Sequence, residues 1–422
     1  MSRTLYSALL YLLCPLILLR LWLRGRKAPA YRLRFAERFG YLRQRPQANG
    51  LWVHAVSVGE TIAAAPLILH FLDNYPELPV VVTTMTPTGS ERVKALFGDR
   101  VFHCYAPYDL PGVVNRFLNT TQPGAAVIME TEVWPNMVCQ TAARGIPVLL
   151  ANGRMSARSA KGYGRFSSLV QPAFAAFDQV LAQSEDDARR FIALGARPES
   201  VAVSGSVKFD VTIGPELATR AAALRGSLEG RPVWVAASTH HGEDEILLAV
   251  HRQLLTTFPD LLLVLVPRHP ERFSQVAELV ASSSLGYSRR SAVGDSVAIS
   301  CSVLLGDTMG ELMLLLGAGD LAFVGGSLIA RGGHNSLEPA AWGIPVITGE
   351  SDFNFAEISA LLQASGGLVK VSGESEMAEV IARWLADPQE RRRCGAAAKG
   401  VVEANRGALA RLIAAVDGAL AK

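Results

Sequence analysis

Residues 51–97 read LWVHAVSVGETIAAAPLILHFLDNYPELPVVVTTMTPTGSERVKALF, and their rhythm decides the fold. A short apolar run at 51–56 passes through turn residues into a helical pattern at 62–72; a second run at 80–84 leads to a second helical pattern at 90–97. Strands and helices in alternation are the signature of βα units feeding a parallel sheet. The alternation continues outward, with strands expected at 125–129, 148–151, 180–183 and 201–204, and one Rossmann-like domain is then complete. A weaker helical stretch over 210–231 closes with GSLEGRP, and the rhythm restarts at Val233 with VWVAAS. Strands expected at 262–266, 302–305, 321–324, 345–348 and 367–371 make a second domain of the same kind, and the segment from Gln389 reads as helix. The expected class is α/β, two Rossmann-like domains facing a cleft that holds the site. The expected boundaries are a segment 1–27, a first domain 28–210, a linker 211–231 and a second domain 232–422 that includes the terminal helix.

The bulk numbers agree with two domains. A chain of 422 residues that is 50% hydrophobic and 19% charged exceeds the length at which one core usually splits. The formal charge of +3 gives no reason to expect nucleic acid as a partner. Five cysteines, Cys14, Cys104, Cys139, Cys301 and Cys394, form no CxxC pair, which argues for a reduced compartment without a disulfide framework. There is no HExxH and no His/Cys cluster at ligand spacing, so no metal is expected.

The amino terminus carries a different pattern. Residues 4–19, TLYSALLYLLCPLILL, hold no charge, and LWL follows the single interruption at Arg20. This is close to the ~17–25 residues that reach across a bilayer, with Pro15 a candidate kink. Arg24, Arg26, Lys27, Arg32, Arg34 and Arg38 follow the apolar run and only Arg3 precedes it. That asymmetry puts the remainder of the chain on the cytoplasmic side and is the reverse of a cleaved signal peptide. A membrane anchor, spanning or interfacial, is expected, with a basic flank suited to anionic lipid.

Candidate chemistry collects where strands end. After the first strand, Ser57 and Glu60 have the spacing of a capping box, which needs no catalysis; a capping glutamate at a strand end also faces the cleft, where it would serve as general base. No GxGxxG follows, which argues against a dinucleotide-dependent dehydrogenase. Glu130, after the strand at 125–129, and Lys208, after the last strand of the first domain, are suited to stabilising charge, although an ion pair between them or simple solvation reads equally well. Arg154 is a further strand-end cation suited to an anionic acceptor. In the second domain, Gly325-Gly326-Ser327 ends a strand, and Gly332-Gly333-His334-Asn335-Ser336-Leu337-Glu338-Pro339 opens a helix. Glycines let backbone approach a ligand, and the N–H groups of a helix start bind phosphate, so a nucleotide site is expected there, with Asn335 and Glu338 also spaced as a cap. Arg268 and His269 lie just past another strand. Asp307, Thr308, Met309, Gly310 and Glu311 follow a third, with Thr308 and Glu311 at capping spacing and backbone suited to a ribose or base.

Taken in order, HAVSVGE, METEVWPN, NGRMS, GSVKFD, PRHPERF, DTMGEL, GGSL and GGHNSLEPAAWGIPVITG, with the apolar amino terminus, resemble the 3-deoxy-D-manno-octulosonic acid (Kdo) transferases of lipopolysaccharide assembly over nearly the whole chain. The resemblance implies a GT-B glycosyltransferase. It implies Glu60 as catalytic base, Glu130 and Lys208 in support of the transition state, and Arg268, His269, Met309, Gly310, Glu311, Asn335, Ser336, Leu337 and Glu338 around the CMP part of the donor. The donor would be CMP-Kdo, the acceptor a lipid A precursor, and the place the inner membrane. Transfer would be inverting and metal-independent, without a cofactor, with the cleft closing on the donor. A transferase that uses a UDP-sugar, and a membrane nucleotide-binding protein without turnover, are the rival readings.

Overall fold

The computed structural model of the chain describes residues 1–293 and 301–422. The chain divides into two compact units, one of Met1–Asp210 with Arg406–Lys422, the other of Val211–Asn405.

The first unit is built on seven parallel strands: β1 (Leu51–His54), β2 (Val80–Thr84), β3 (Phe102–Tyr105), β4 (Ala125–Met129), β5 (Val148–Gly153), β6 (Gln179–Ala182) and β7 (Val201–Val203). Their order across the sheet is β3-β2-β1-β4-β5-β6-β7. The second unit repeats the plan with β8 (Val233–Thr239), β9 (Leu262–Pro267), β10 (Tyr287–Arg289), β11 (Val303–Leu305), β12 (Leu321–Val324), β13 (Val346–Thr348) and β14 (Leu368–Lys370), ordered β10-β11-β9-β8-β12-β13-β14. Two strands were not legible in the sequence, β3 and β10. Both are edge strands, FHCY and YSR, half-buried where the central strands are fully buried, so they carry no continuous apolar run.

Side chains alternate between the two faces of each sheet. Leu51 and Val53 enter one core of the first unit, and Trp52 enters the core on the opposite face with Ile128, Leu150 and Phe174. In both sheets the order reverses beside the first strand, between β1 and β4 and between β8 and β12. Because all strands are parallel, their carboxyl ends share one edge. At such a switch point the connections diverge to opposite faces and leave a crevice.

The expected second domain, 232–422, needs a correction at its end. The carboxy-terminal segment is two helices. Pro388–Ala404 belongs to the second unit, and Ala408–Leu420 packs Ala408, Leu412, Ala415, Val416 and Ala419 into the core against β4 and β5 of the first. Asp210, at the end of the first unit's main segment, receives the N–H groups of Gly407 (2.7 Å) and Leu409 (2.6 Å), and Arg411 donates to the Ser204 carbonyl (3.0 and 2.8 Å). An amphipathic helix shows which face is buried, not which core receives it.

The amino-terminal helix α1 (Arg3–Lys27) is continuous through Pro15 and is long and apolar enough to cross a membrane. Leu5, Leu9, Leu12, Leu16, Leu19 and Leu23 form an exposed stripe at helical spacing. The other face docks on the first unit: the Tyr6 hydroxyl donates to Asp109 (3.0 Å), and the Asn136 amide donates to the Ser7 hydroxyl (3.1 Å).

Candidate active site

In the first unit, the sheet's carboxyl edge gathers acids at its switch point. Helix α2 (Val58–Asn74) starts on Ser57, whose Oγ accepts the Glu60 N–H (3.3 Å) and donates to Glu60 Oε1 (2.8 Å). The Val56 N–H donates to Oε2 (2.8 Å). The cap is therefore present, and it also fixes the carboxylate at the end of β1. Burial pushes the Glu60 carboxyl up to about 7 against these two hydrogen bonds, and the charges of Glu132 and Glu130 push in the same direction. A carboxyl with that value is divided between acid and base near neutral pH.

Glu130 directly follows β4, the strand beside β1, and sits in the left-handed region at φ +54° with its N–H on the Ala151 carbonyl (2.9 Å). A non-glycine residue held there costs about 1–3 kcal/mol and is typical of functional positions. Glu132 was not singled out from the sequence. Its carboxylate accepts the Trp134 indole N–H (3.0 Å), and burial raises its pKa against that bond, with Glu130 adding to the rise. The only signal for it was the second acid of Glu130-Thr131-Glu132.

Lys208 lies past β7, three strands from β4, on the turn Val207–Phe209. The turn folds back: the Val207 N–H donates to the side-chain oxygen of Asn152 (3.2 Å), a buried residue near the end of β5 held at φ +53°. The segment carrying Lys208 is thereby tied to the strand next to Glu130. Arg154 is exposed just past β5.

The second unit has the same edge with the opposite charge. Loops after β11, β9, β8 and β12 are consecutive along it and carry, in turn, Met309–Glu311, Arg268 with His269, His240, and the stretch from Gly325 to Glu338. The glycine-bearing strand end at Gly325–Ser327, where close approach of backbone to a ligand was expected, has its N–H groups engaged within the chain. Glu243, fully buried, accepts the N–H groups of Gly326 (2.8 Å), Ser327 (3.0 Å), Leu328 (3.1 Å) and His240 (3.0 Å), so the chain's own carboxylate fills this nest. Gly325 is required by packing: a Cβ there would lie 2.5 Å from the Ser238 carbonyl oxygen.

The helix start beyond it is short. Helix Leu337–Trp342 has its first N–H, that of Leu337, on the Asn335 side chain (3.2 Å), and the Asn335 amide donates to Glu338 (3.3 Å). Leu337 and Ser336 are buried, and the Ser336 hydroxyl has no partner among the described residues. Burial raises the Glu338 carboxyl's pKa, opposed by Asn335 and by the charge of Arg268. Arg268 and His269 are exposed. Met309 is exposed and Gly310 is left-handed at φ +83°. Glu311 is engaged by Arg290 (3.0 and 3.1 Å), Thr308 (2.6 Å) and Arg220 (3.3 Å); the Arg290 bonds first, then Thr308, hold its pKa below the usual range. Its carboxylate thus organises the loop, leaving Met309 and Gly310 to face outward.

Solved structures share this architecture. The glycotransferase of kitacinnamycin superposes with a TM-score of 0.52 at 12% identity, covering 89% of this chain and 100% of that one. Anabaena Alr3699/HepE in complex with UDP gives 0.51 at 13% identity, covering 88% and 99%. Residues 232–401 match the profile of glycosyl transferases group 1. Two Rossmann-like units with this profile in the second define a GT-B glycosyltransferase.

The first unit narrows the class. Residues 33–211 match the profile described as 3-deoxy-D-manno-octulosonic-acid transferase. The chain is 46% identical to the 3-deoxy-D-manno-octulosonic acid transferase of Haemophilus influenzae, over 98% of this chain and 97% of that one. It is 37% identical to that of Bordetella pertussis, over 99% of each. The chain belongs to the Kdo transferase family.

Proposed function

We propose that the chain transfers Kdo from CMP-Kdo to a lipid A precursor with inversion, using Glu60 as the base. The observation that carries this reading is the Glu60 carboxyl: buried at the switch point, held by Ser57 and Val56, and raised to about 7. A carboxylate of that basicity accepts the proton of an acceptor hydroxyl as its oxygen bonds to the anomeric carbon. The bond from that carbon to the donor phosphate breaks on the opposite face, its electron pair leaves with CMP, and the configuration inverts. Arg268 supplies positive charge for the departing phosphate. Glu130 and Lys208 are assigned to support the cation-like sugar, residues 28–210 to the acceptor and 232 onward to the nucleotide.

An apolar cavity of about 240 Å³ supports a lipid acceptor. Leu10, Cys14 and Ile17 of α1 line it together with Met85, Leu110 and Trp134. Trp134 is the indole bonded to Glu132, so a surface suited to an acyl chain adjoins the acid cluster. The basic residues at the end of α1 and just beyond it support a reading with the catalytic units at the cytoplasmic face of the inner membrane.

The test is mass spectrometry of a lipid A precursor incubated with purified protein and CMP-Kdo. Added Kdo mass with wild type supports the reading, and the number of additions is read directly. An unmodified lipid, or displacement of the donor by UDP in preference to CMP, rejects it.

A further inference from the structure

Glu243 raises a question about the second unit. It occupies main-chain N–H groups that a Rossmann switch point ordinarily offers to phosphate, so those of Gly326, Ser327 and Leu328 are closed to an anion and the side chains beside them stand in their place. Beside the filled nest stand two imidazoles, one after β8 and one in the loop after β12. His240 Nε2 and His334 Nε2 are 2.8 Å apart. The rings lie 12° from parallel with centroids 5.0 Å apart, so the nitrogens face each other along the line between the rings, not across stacked faces.

A nitrogen–nitrogen contact of 2.8 Å holds one proton. Two lone pairs repel, and two N–H groups repel. In the neutral pair the ring that donates from Nε2 has a bare Nδ1, and the ring that accepts carries its own proton on Nδ1. The pair, which carries two ring protons when neutral, can therefore take up a third, on the bare Nδ1, without breaking the bond between the rings.

Its surroundings oppose that uptake until an anion arrives. His269 lies 5.5 Å from His240, centroid to centroid, and the charges of Arg331, Arg272 and Arg268 bear on His240. Arg268, His240 and His269 bear on His334. The nearby carboxylates are engaged elsewhere: Glu243 by main-chain N–H groups, Asp244 by Arg272 and Thr239, Glu338 by Asn335. Among the described residues the guanidinium groups of Arg268 and Arg331 have no carboxylate partner. Burial first, then these cations, lowers both imidazoles to about 4, so the pair is neutral at pH 7.

We propose that the His240–His334 pair, flanked by Arg268 and Arg331, binds the phosphate of the nucleotide donor and takes up one proton as it does so. The proposal rests on the reading of the second unit as the CMP site. A bound phosphate reverses the local field and restores the imidazolium form. Between the low pKa of the free pair and its higher value in the complex, affinity falls as pH rises, by up to about tenfold per unit for one proton.

The test is calorimetry of CMP binding to the full-length protein in detergent, slightly above neutral pH, in two buffers of different ionisation heat, with cytidine as the ligand lacking phosphate. The proposal expects an uptake approaching about one proton per CMP and none with cytidine. His240→Gln keeps the main-chain bond to Glu243 and is expected to bind CMP about tenfold more weakly with the uptake abolished. His334→Gln should behave alike. Tight CMP binding by wild type with no proton uptake overturns the proposal while leaving the CMP site intact, and this result needs no variant to fold. Uptake that survives in both folded variants overturns it as well. Failure of wild type to bind CMP at all removes the donor reading and this proposal together.

Discussion

The two sheet edges share one topology and carry opposite chemistry. At the switch point of the first unit, Glu60, Glu130 and Glu132 stand beyond β1 and β4; at that of the second, His240, His334, Arg268 and Arg331 stand beyond β8, β9 and β12. Burial acts on both in the same sense, toward the neutral form. It raises Glu60 to about 7 and lowers His240 and His334 to about 4. The difference teaches that a Rossmann edge supplies a crevice, and the residues at the strand ends decide whether it accepts a proton or an anion.

The sharpest way to break this comparison is Glu60→Gln. It retains the cap and removes the base, and the rate of Kdo transfer is expected to fall by about 10²–10⁴-fold with little change in donor KM. A loss of less than about tenfold, well below what a general base contributes, would reduce Glu60 to a helix cap. Next, the helix Ala408–Leu420 completes the first core and not the second. Leu412→Ala should therefore cost about 2–5 kcal/mol, and hydrogen exchange should lose protection in β4 and β5 while β8 and β12 keep theirs.

The pH profile follows in size. The working form of Glu60 is the carboxylate, and its pKa is about 7. The rate at limiting acceptor should rise as pH increases through about 7 and fall by about tenfold per unit below it. A flat profile between pH 5 and 8 would remove Glu60 from the proton transfer. The smallest effect is expected of Glu132→Gln. Removing one negative neighbour lowers the Glu60 pKa, so the midpoint of the profile should move to lower pH with only a modest change in the plateau rate. A shift toward higher pH would mean that Glu132 acts mainly through Trp134.

Much of this was legible before the fold was known. The βα rhythm located twelve of the fourteen strands, and the strand-end rule pointed to Glu60, Glu130, Arg268 and His269. What escaped were groups whose importance is a matter of neighbours. Glu132 looked like one more acid of its loop until Trp134 and the burial of the acid cluster set it apart. Glu243 gave no signal, because its partners at Gly326, Ser327 and Leu328 are more than eighty residues away. His240 and His334 are ninety-four residues apart in the chain and meet only because β8 and β12 are adjacent.

The sequence by itself determined that there would be two parallel sheets, where each βα unit would turn, and that the amino terminus would be a long apolar helix, because hydrophobic periodicity and turn chemistry are local properties. Only the tertiary structure decided which carboxylates share a field, which N–H groups a buried glutamate consumes, and which core the last helix joins. Those depend on the dielectric and on contacts across the sheet, and neither exists until the strands have paired.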